Sequence, residues 1–144
     1  GLKTDELSIA IPLGPNLPGL DARVTRLESL PPAHPMPLTG GGAIWKWFEH
    51  LEGTAETLET TEDGAPALVR AGNLHYLAGW PEPEAFARII RDLARDAGLT
   101  PMDLPEGLRL RDTATHRVWI NYGAEAITHA GRTLGGADVL WEAL

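Results

Sequence analysis

Carboxylates are the most plentiful groups in this chain that could do chemistry. A pair of them running general acid–base hydrolysis, as in glycosidases, is therefore the first reaction to test. Most of them stand in turns or on polar strand positions, as Glu62-Asp63, Asp112 and Glu125 do, and read as solvated surface. His34, His50, His75, His116 and His129 show no His-x-x-x-His or comparable spacing, so a metal would need distant residues to converge. His75 alternates within an apolar run and reads as a hydrogen-bonded core or sheet-face residue. Gly40-Gly41-Gly42 lacks the Lys-Ser/Thr of a phosphate loop, and Gly131 to Gly136 lacks the spacing of a dinucleotide turn; both read as connectors or hairpin turns. Ser8 and Ser29 are the only serines, and neither lies in a nucleophile elbow. No residue is assigned a catalytic, cofactor-binding or metal-ligating role.

The tryptophans are left as the feature that could report binding. Aromatic faces stack on sugar rings and also anchor protein interfaces. Trp45 and Trp47, on either side of Lys46, are the interface candidates, with Trp119 and Trp141 as a second possible surface. Ordinary core packing is the competing reading for each, because an indole buries so much apolar area.

The elements that must position these side chains follow from turn signals and periodicity. Asp63-Gly64 and Ala71-Gly72-Asn73 bracket two apolar runs, Pro66–Val69 and Leu74–Ala78, that read as a hairpin. Pro81 and Pro83 open a helix that closes at Gly98. Its apolar stripe is Phe86, Ile89, Ile90, Leu93 and Ala97, with Arg88, Arg91, Asp92, Arg95 and Asp96 outside it. This order, two short strands and then a helix, is that of the back half of a layered α/β domain. Upstream, Leu7 to Leu13 reads as a short edge strand and Asp21 to Leu30 as another strand. Pro31 to Gly42 reads as a connector, stiff and then flexible. Ile44 to Leu51 fits either period: Ile44, Trp47, Phe48 and Leu51 share a helical face, whereas a strand would set Trp45 and Trp47 opposite Ile44 and Phe48. Glu56–Thr60 is a further strand. Past Pro101 and Pro105, alternation at Leu108–Arg111 and Val118–Tyr122, with Ile127 and Val139–Trp141, predicts a small antiparallel β unit from Glu106 to Leu144.

At 144 residues, 43% hydrophobic and 22% charged, the chain can build a real core and holds one ordinary domain or two small ones. A net charge of −8, with Lys3 and Lys46 the only lysines, leaves no basic face for nucleic acid. The absence of cysteine excludes disulfides and thiolate chemistry and fits a reducing, cytoplasmic setting. No apolar run approaches the roughly 18 residues of a membrane helix, and no membrane partner is expected. Gly1 stands where an initiator Met would be expected, which favours a fragment of a longer protein.

The order of these pieces resembles the C-terminal end of a glycoside hydrolase family 42 β-galactosidase, over almost the whole chain. Gly1-Leu2-Lys3-Thr4-Asp5 resembles the segment after that family's Gly-Gly strand, and Trp47-Phe48-Glu49-His50-Leu51 its W-x-E-x-L strand. Gly64–Arg70 with Tyr76-Leu77-Ala78-Gly79 resembles its hairpin, and Leu104–Arg109 the opening of its terminal β domain, with Asn121 matching a strand there. The resemblance implies that Ile44–Leu51 is a strand. It implies the end of a flavodoxin-like trimerisation domain over residues 1–99, a partial sheet with one amphipathic helix, followed by a small antiparallel β domain over 100–144. The family's hairpin Gly-Lys-Gly is reduced here to Ala71-Gly72-Asn73, and its Asn-Glu acid/base dipeptide does not occur. A catalytic barrel takes about 250 residues and cannot fit in this chain. The implied role is a non-catalytic, assembly-supporting region whose partner is the catalytic barrel of a parent enzyme. In that parent the barrel would cleave terminal β-D-galactosides by retention with two glutamates. Half a sheet also implies self-association or domain swapping of the isolated chain. A free-standing carbohydrate-binding module using exposed tryptophans, or an unrelated α/β scaffold, are the rival readings.

Overall fold

The computed structural model describes residues 13–144, so the strand expected from Leu7 and the opening Gly1–Asp5 motif lie outside the described residues. The chain divides into two compact units, one up to Ala97 and one from Gly98. The first contains β1 (Ala22–Ser29), β2 (Met36–Pro37), β3 (Ala43–Gly53), β4 (Glu56–Thr60), β5 (Pro66–Ala71), β6 (Leu74–Leu77), β7 (Gly79–Pro81) and α1 (Pro83–Asp96). The second contains β8 (Leu108–Asp112), β9 (His116–Asn121), β10 (Ile127–His129), β11 (Arg132–Leu134) and β12 (Val139–Ala143). Every strand pairing among the described residues is antiparallel.

Strand β3 is the hub of the first unit, because β1, β2 and β7 all pair with it. Its period is ambiguous in the sequence because Ile44 and Phe48, four residues apart, share a face in a helix and in a strand alike. Both are fully buried in a core with Leu38, Ala67, Leu68, Ala78, Ala85 and Ile89. A second sheet, β4-β5-β6, carries the expected hairpin, with Leu68 opposite Leu77 and Arg70 opposite His75.

Of the two readings of the glycine triplet, connector or hairpin turn, the second holds: it is the tight turn of the β2–β3 hairpin, with Leu38 N–H donating to Gly42 C=O at 2.9 Å. At Gly42, φ is +77°, and an added Cβ would lie 2.7 Å from the Ala85 Cβ, so the helix seats against bare backbone. The helix itself is rotated from its expected stripe. Ala85 and Ile89 are buried, whereas Phe86 and Ile90 are each 50% exposed. Arg88, expected outside, turns inward and donates Nη2–H to Glu59 Oε1 at 2.7 Å and to Gly41 C=O at 3.0 Å. Glu59 is buried and also accepts the Gly40 N–H at 2.9 Å. A buried carboxylate needs such partners, and this need sets the helix's rotation.

The second unit builds the sheet β12-β9-β8 and a separate β10–β11 hairpin around Leu108, Trp119 and Leu134. Of Gly131–Gly136, expected as a connector or hairpin turn, Gly131 lies in the β10–β11 hairpin turn, and Arg132–Leu134 is a strand pairing with Ile127–His129. Asn121 is buried and fully used. Its Nδ2 donates to the carbonyls of Glu125 (2.8 Å) and Gly135 (2.7 Å), and its Oδ1 accepts the Gly123 N–H at 2.9 Å. Glu142 accepts the Trp119 Nε1–H at 2.8 Å and the Arg132 Nε–H at 2.5 Å, while Arg117 grips Asp112 through two 2.8 Å bonds.

Two outcomes follow. Arg88→Met strands the buried Glu59 charge and is expected to cost about 2–3 kcal/mol in urea unfolding, somewhat below a fully enclosed pair because the guanidinium is partly solvated. Glu59→Gln added to it should recover part of that loss. In the second unit, hydrogen bonds from Arg132 and Trp119 to Glu142, and from Arg117 to Asp112, hold both carboxyls below their ordinary range. A carboxyl depressed in the folded state adds stability above its unfolded value, lost as pH falls through the folded value. Thermal melts should therefore weaken below about pH 4, and Glu142→Gln should flatten that acid limb.

Candidate functional site

The pairing of β3 with β7 is irregular at its centre. Ile44 faces Pro81 and Phe48 faces Gly79, so Trp45, Lys46 and Trp47 together stand opposite Trp80 alone. Such a bulge bends a strand and re-aims its side chains. It works here because Gly79 has no side chain: an added Cβ would fall 2.5 Å from the Trp47 carbonyl oxygen and 2.8 Å from Ile44 Cγ2.

The bulge gathers three indoles. Trp45 is 40% exposed, Trp80 46%, and Trp47 is half-buried. Trp47 and Trp80 lie 5.2 Å apart, centroid to centroid, tilted by 50°. The Lys46 ammonium sits 4.7 Å from the Trp80 ring centroid and 5.5 Å from that of Trp45, in cation–π range of both. Sequence reading named Trp45 and Trp47 and missed Trp80, whose connection to them runs across strands and leaves no trace in the local pattern.

Beneath the surface layer, Trp47 Nε1–H donates to Glu49 Oε1 at 3.1 Å, and the Tyr76 hydroxyl donates to Glu49 Oε2. Glu49 is 4% exposed. Burial, then the hydrogen bond to Glu49 and its charge, push the Tyr76 phenol well above its usual range. Tyr76 is thus held as a proton donor to Glu49 and is no base at neutral pH. The arrangement is a rigid foundation for an aromatic, cationic surface, suited to recognition by contact. His75, on the neighbouring position of β6, has its Nε2 buried without a hydrogen-bond partner. Trp119 belongs to the core of the second unit, and Trp141 is 62% exposed on β12. Among the described residues, no group of three or more His, Asp or Glu is arranged to hold a metal, and no helix is long and apolar enough to cross a membrane.

No family model matches the chain. It is 41% identical over 134 residues to a β-galactosidase of Thermus thermophilus, and 39% identical over 135 residues to the β-galactosidase BgaA of a Thermus species. The chain is a relative of β-galactosidases. Each match covers 88% of this chain and 20% of the relative, so the chain spans about a fifth of the length of these curated relatives. The solved β-galactosidase of the psychrophilic Marinomonas ef1 superposes with a TM-score of 0.77 at 25% identity, covering 99% of this chain and 24% of that one. The enzyme of Bacillus circulans sp. alkalophilus gives 0.70 at 18% identity over 85% of this chain, and that of Halorubrum lacusprofundi 0.72 at 21% over 98%; these two share the fold. Their own chains are covered to 24% and 25%. This is the pattern expected for a C-terminal region of a β-galactosidase.

The cluster divides into foundation and surface, and substitution should separate them. Tyr76→Phe and Trp47→Phe each leave Glu49 short of a donor and should cost about 1–3 kcal/mol in urea unfolding. Trp45→Ala removes a partly solvated ring and should stay within about 1 kcal/mol of the parent.

Proposed function

We propose that the chain is a non-catalytic, assembly-supporting C-terminal region of a cytoplasmic glycoside hydrolase family 42 β-galactosidase. The single observation that carries this reading is the coverage: 88% of the chain aligns with 20% of its β-galactosidase relatives. On this reading, the first unit, to about residue 99, ends a flavodoxin-like trimerisation domain. The parallel strands such a sheet requires would come from the preceding part of the parent polypeptide. Residues 100–144 form the small terminal β domain. The parent's barrel hydrolyses terminal β-D-galactosides, and the surface of Trp45, Trp47 and Trp80 is a contact with the rest of that enzyme. An indole pair with a cation at its centre has the composition of an interface hot spot.

The exposure of Trp45 and Trp80 also favours a second reading, a carbohydrate-binding module that stacks sugar on these rings. Quenching of indole emission by galactose, lost in Trp80→Ala, would distinguish it from the first.

An immunoblot of source cells with an antibody to this region is expected to show a band far above 15.5 kDa. Purified chain is expected to give no turnover of a chromogenic β-galactoside. A band at 15.5 kDa, or stoichiometric turnover by the pure chain, would overturn the accessory-region reading.

A further inference from the structure

We infer that the free edge of β12 is a self-complementary docking strand, and that its occupant is β12 of a second copy of this chain, antiparallel and centred on Trp141. The hydrogen-bond phase of the ladder carries the argument. Asn121 N–H donates to Asp138 C=O at 2.9 Å, and Leu144 N–H donates to Thr115 C=O at 3.0 Å. With Val139 opposite Ile120, Trp141 opposite Val118 and Ala143 opposite His116, these bonds make all three pairs the non-hydrogen-bonded pairs of the β12–β9 ladder. The backbone N–H and C=O groups of Val139, Trp141 and Ala143 therefore point away from β9. Among the described residues no strand pairs with β12 on that side. The Val139 N–H is taken up by Asp138 Oδ1 at 2.8 Å, while Trp141 and Ala143 still offer theirs.

A second copy related by a two-fold axis at Trp141 meets this edge in register. Each Trp141 N–H reaches the opposing Trp141 C=O, and each Ala143 N–H reaches the opposing Val139 C=O. The two exposed indoles become directly opposed residues on one face, where aromatic cross-strand pairs stabilise a sheet. Charge permits the approach although the whole chain carries −8. Glu142 is the charged side chain of β12; it points to the other face, where Trp119 and Arg132 hold it. Within Val139–Ala143 no like charges are opposed, since Glu142 meets Leu140 of the second copy. On Trp141's own face its β9 neighbours are Val118, Ile120 and His116, whose ring lies 6.1 Å from the indole, and Arg109 and Arg111 stand one strand further off on β8. This strand has no lysine, no proline and no bulge to block pairing, and its one charge, Glu142, is already engaged on the other face. The result is an isologous contact that closes on itself. A five-residue seam is small, so the association is weak and depends on concentration.

The edge geometry carries this proposal alone; its failure would leave the β-galactosidase reading unchanged. Sedimentation velocity on the 144-residue chain, from about 10 µM to about 1 mM, is expected to show a monomer passing to a dimer. Trp141→Lys places like charges at the dyad and should hold the chain monomeric over that range. Ala143→Pro removes an N–H that faces away from β9 and should do the same, with unchanged circular dichroism. Trp80→Ala should associate as the parent does. A parent that stays monomeric throughout, or a Trp141→Lys variant that dimerises as well as the parent, would overturn the seam.

Discussion

Much of the first unit depends on Ile44 and Phe48 reaching the core from one strand. Both are fully buried, and between them the chain must place a tryptophan, a lysine and another tryptophan. Regular pairing would turn Lys46 to the same face as its two apolar neighbours, where an ammonium has no partner. The bulge against β7 avoids this by letting Trp45, Lys46 and Trp47 swing out opposite Trp80. Burial of two hydrophobic side chains thus produces an exposed aromatic cluster as its consequence. The close approach of β7 that completes the cluster is possible only at a glycine, where Gly79 adopts φ +151° and lies against the Trp47 carbonyl.

Buried carboxylates supply the second constraint. Glu49 is held by two neutral donors, Trp47 and Tyr76, and Glu59 by Arg88 and the Gly40 N–H. The difference matters. Neutral donors satisfy a carboxylate without ordering a long cationic side chain, so the Glu49 site stiffens the sheet that carries the tryptophans. The Arg88 pair ties a helix to a strand and to a hairpin turn together, which locks three elements at one point. Gly40 has to remain bare for this, since an added Cβ would lie 2.5 Å from Glu59 Oε1.

What was legible in the sequence follows the range of the forces involved. The β5–β6 hairpin and the ends of α1 were readable because Asp63-Gly64, Ala71-Gly72-Asn73, Pro83 and Gly98 act within a few residues of themselves. Strand β7 was not, since Gly79-Trp80-Pro81 is too short to show alternation and exists as a strand only by pairing with β3. Strand β11 was hidden for the same reason, its three residues lying between glycine-rich turns. The rotation of α1 is not legible locally, because the apolar stripe is a property of the helix alone, whereas the residue that fixes it, Glu59, sits on β4. Trp45 and Trp47 could be picked out by composition, but Trp80 joins them through sheet register, which no along-chain period encodes. Family resemblance reaches further than the local signals, because it carries the outcome of those long-range contacts.

Asn121 shows how a functional-looking residue becomes a structural one. An amide on an apolar strand invites a ligand-binding reading, yet its Nδ2 hydrogens and its Oδ1 are all consumed by the backbones of Glu125, Gly135 and Gly123. It fastens the loop after β9 to the turn before β12, and so fixes where β12 begins. Because side chains alternate along that strand, its starting point decides that Glu142 turns to Trp119 and Arg132 while Trp141 turns out. A one-residue slip would expose the carboxylate and bury the indole. The buried amide therefore controls the chemistry of a surface it does not touch, and an aromatic, uncharged outer edge is what that control produces.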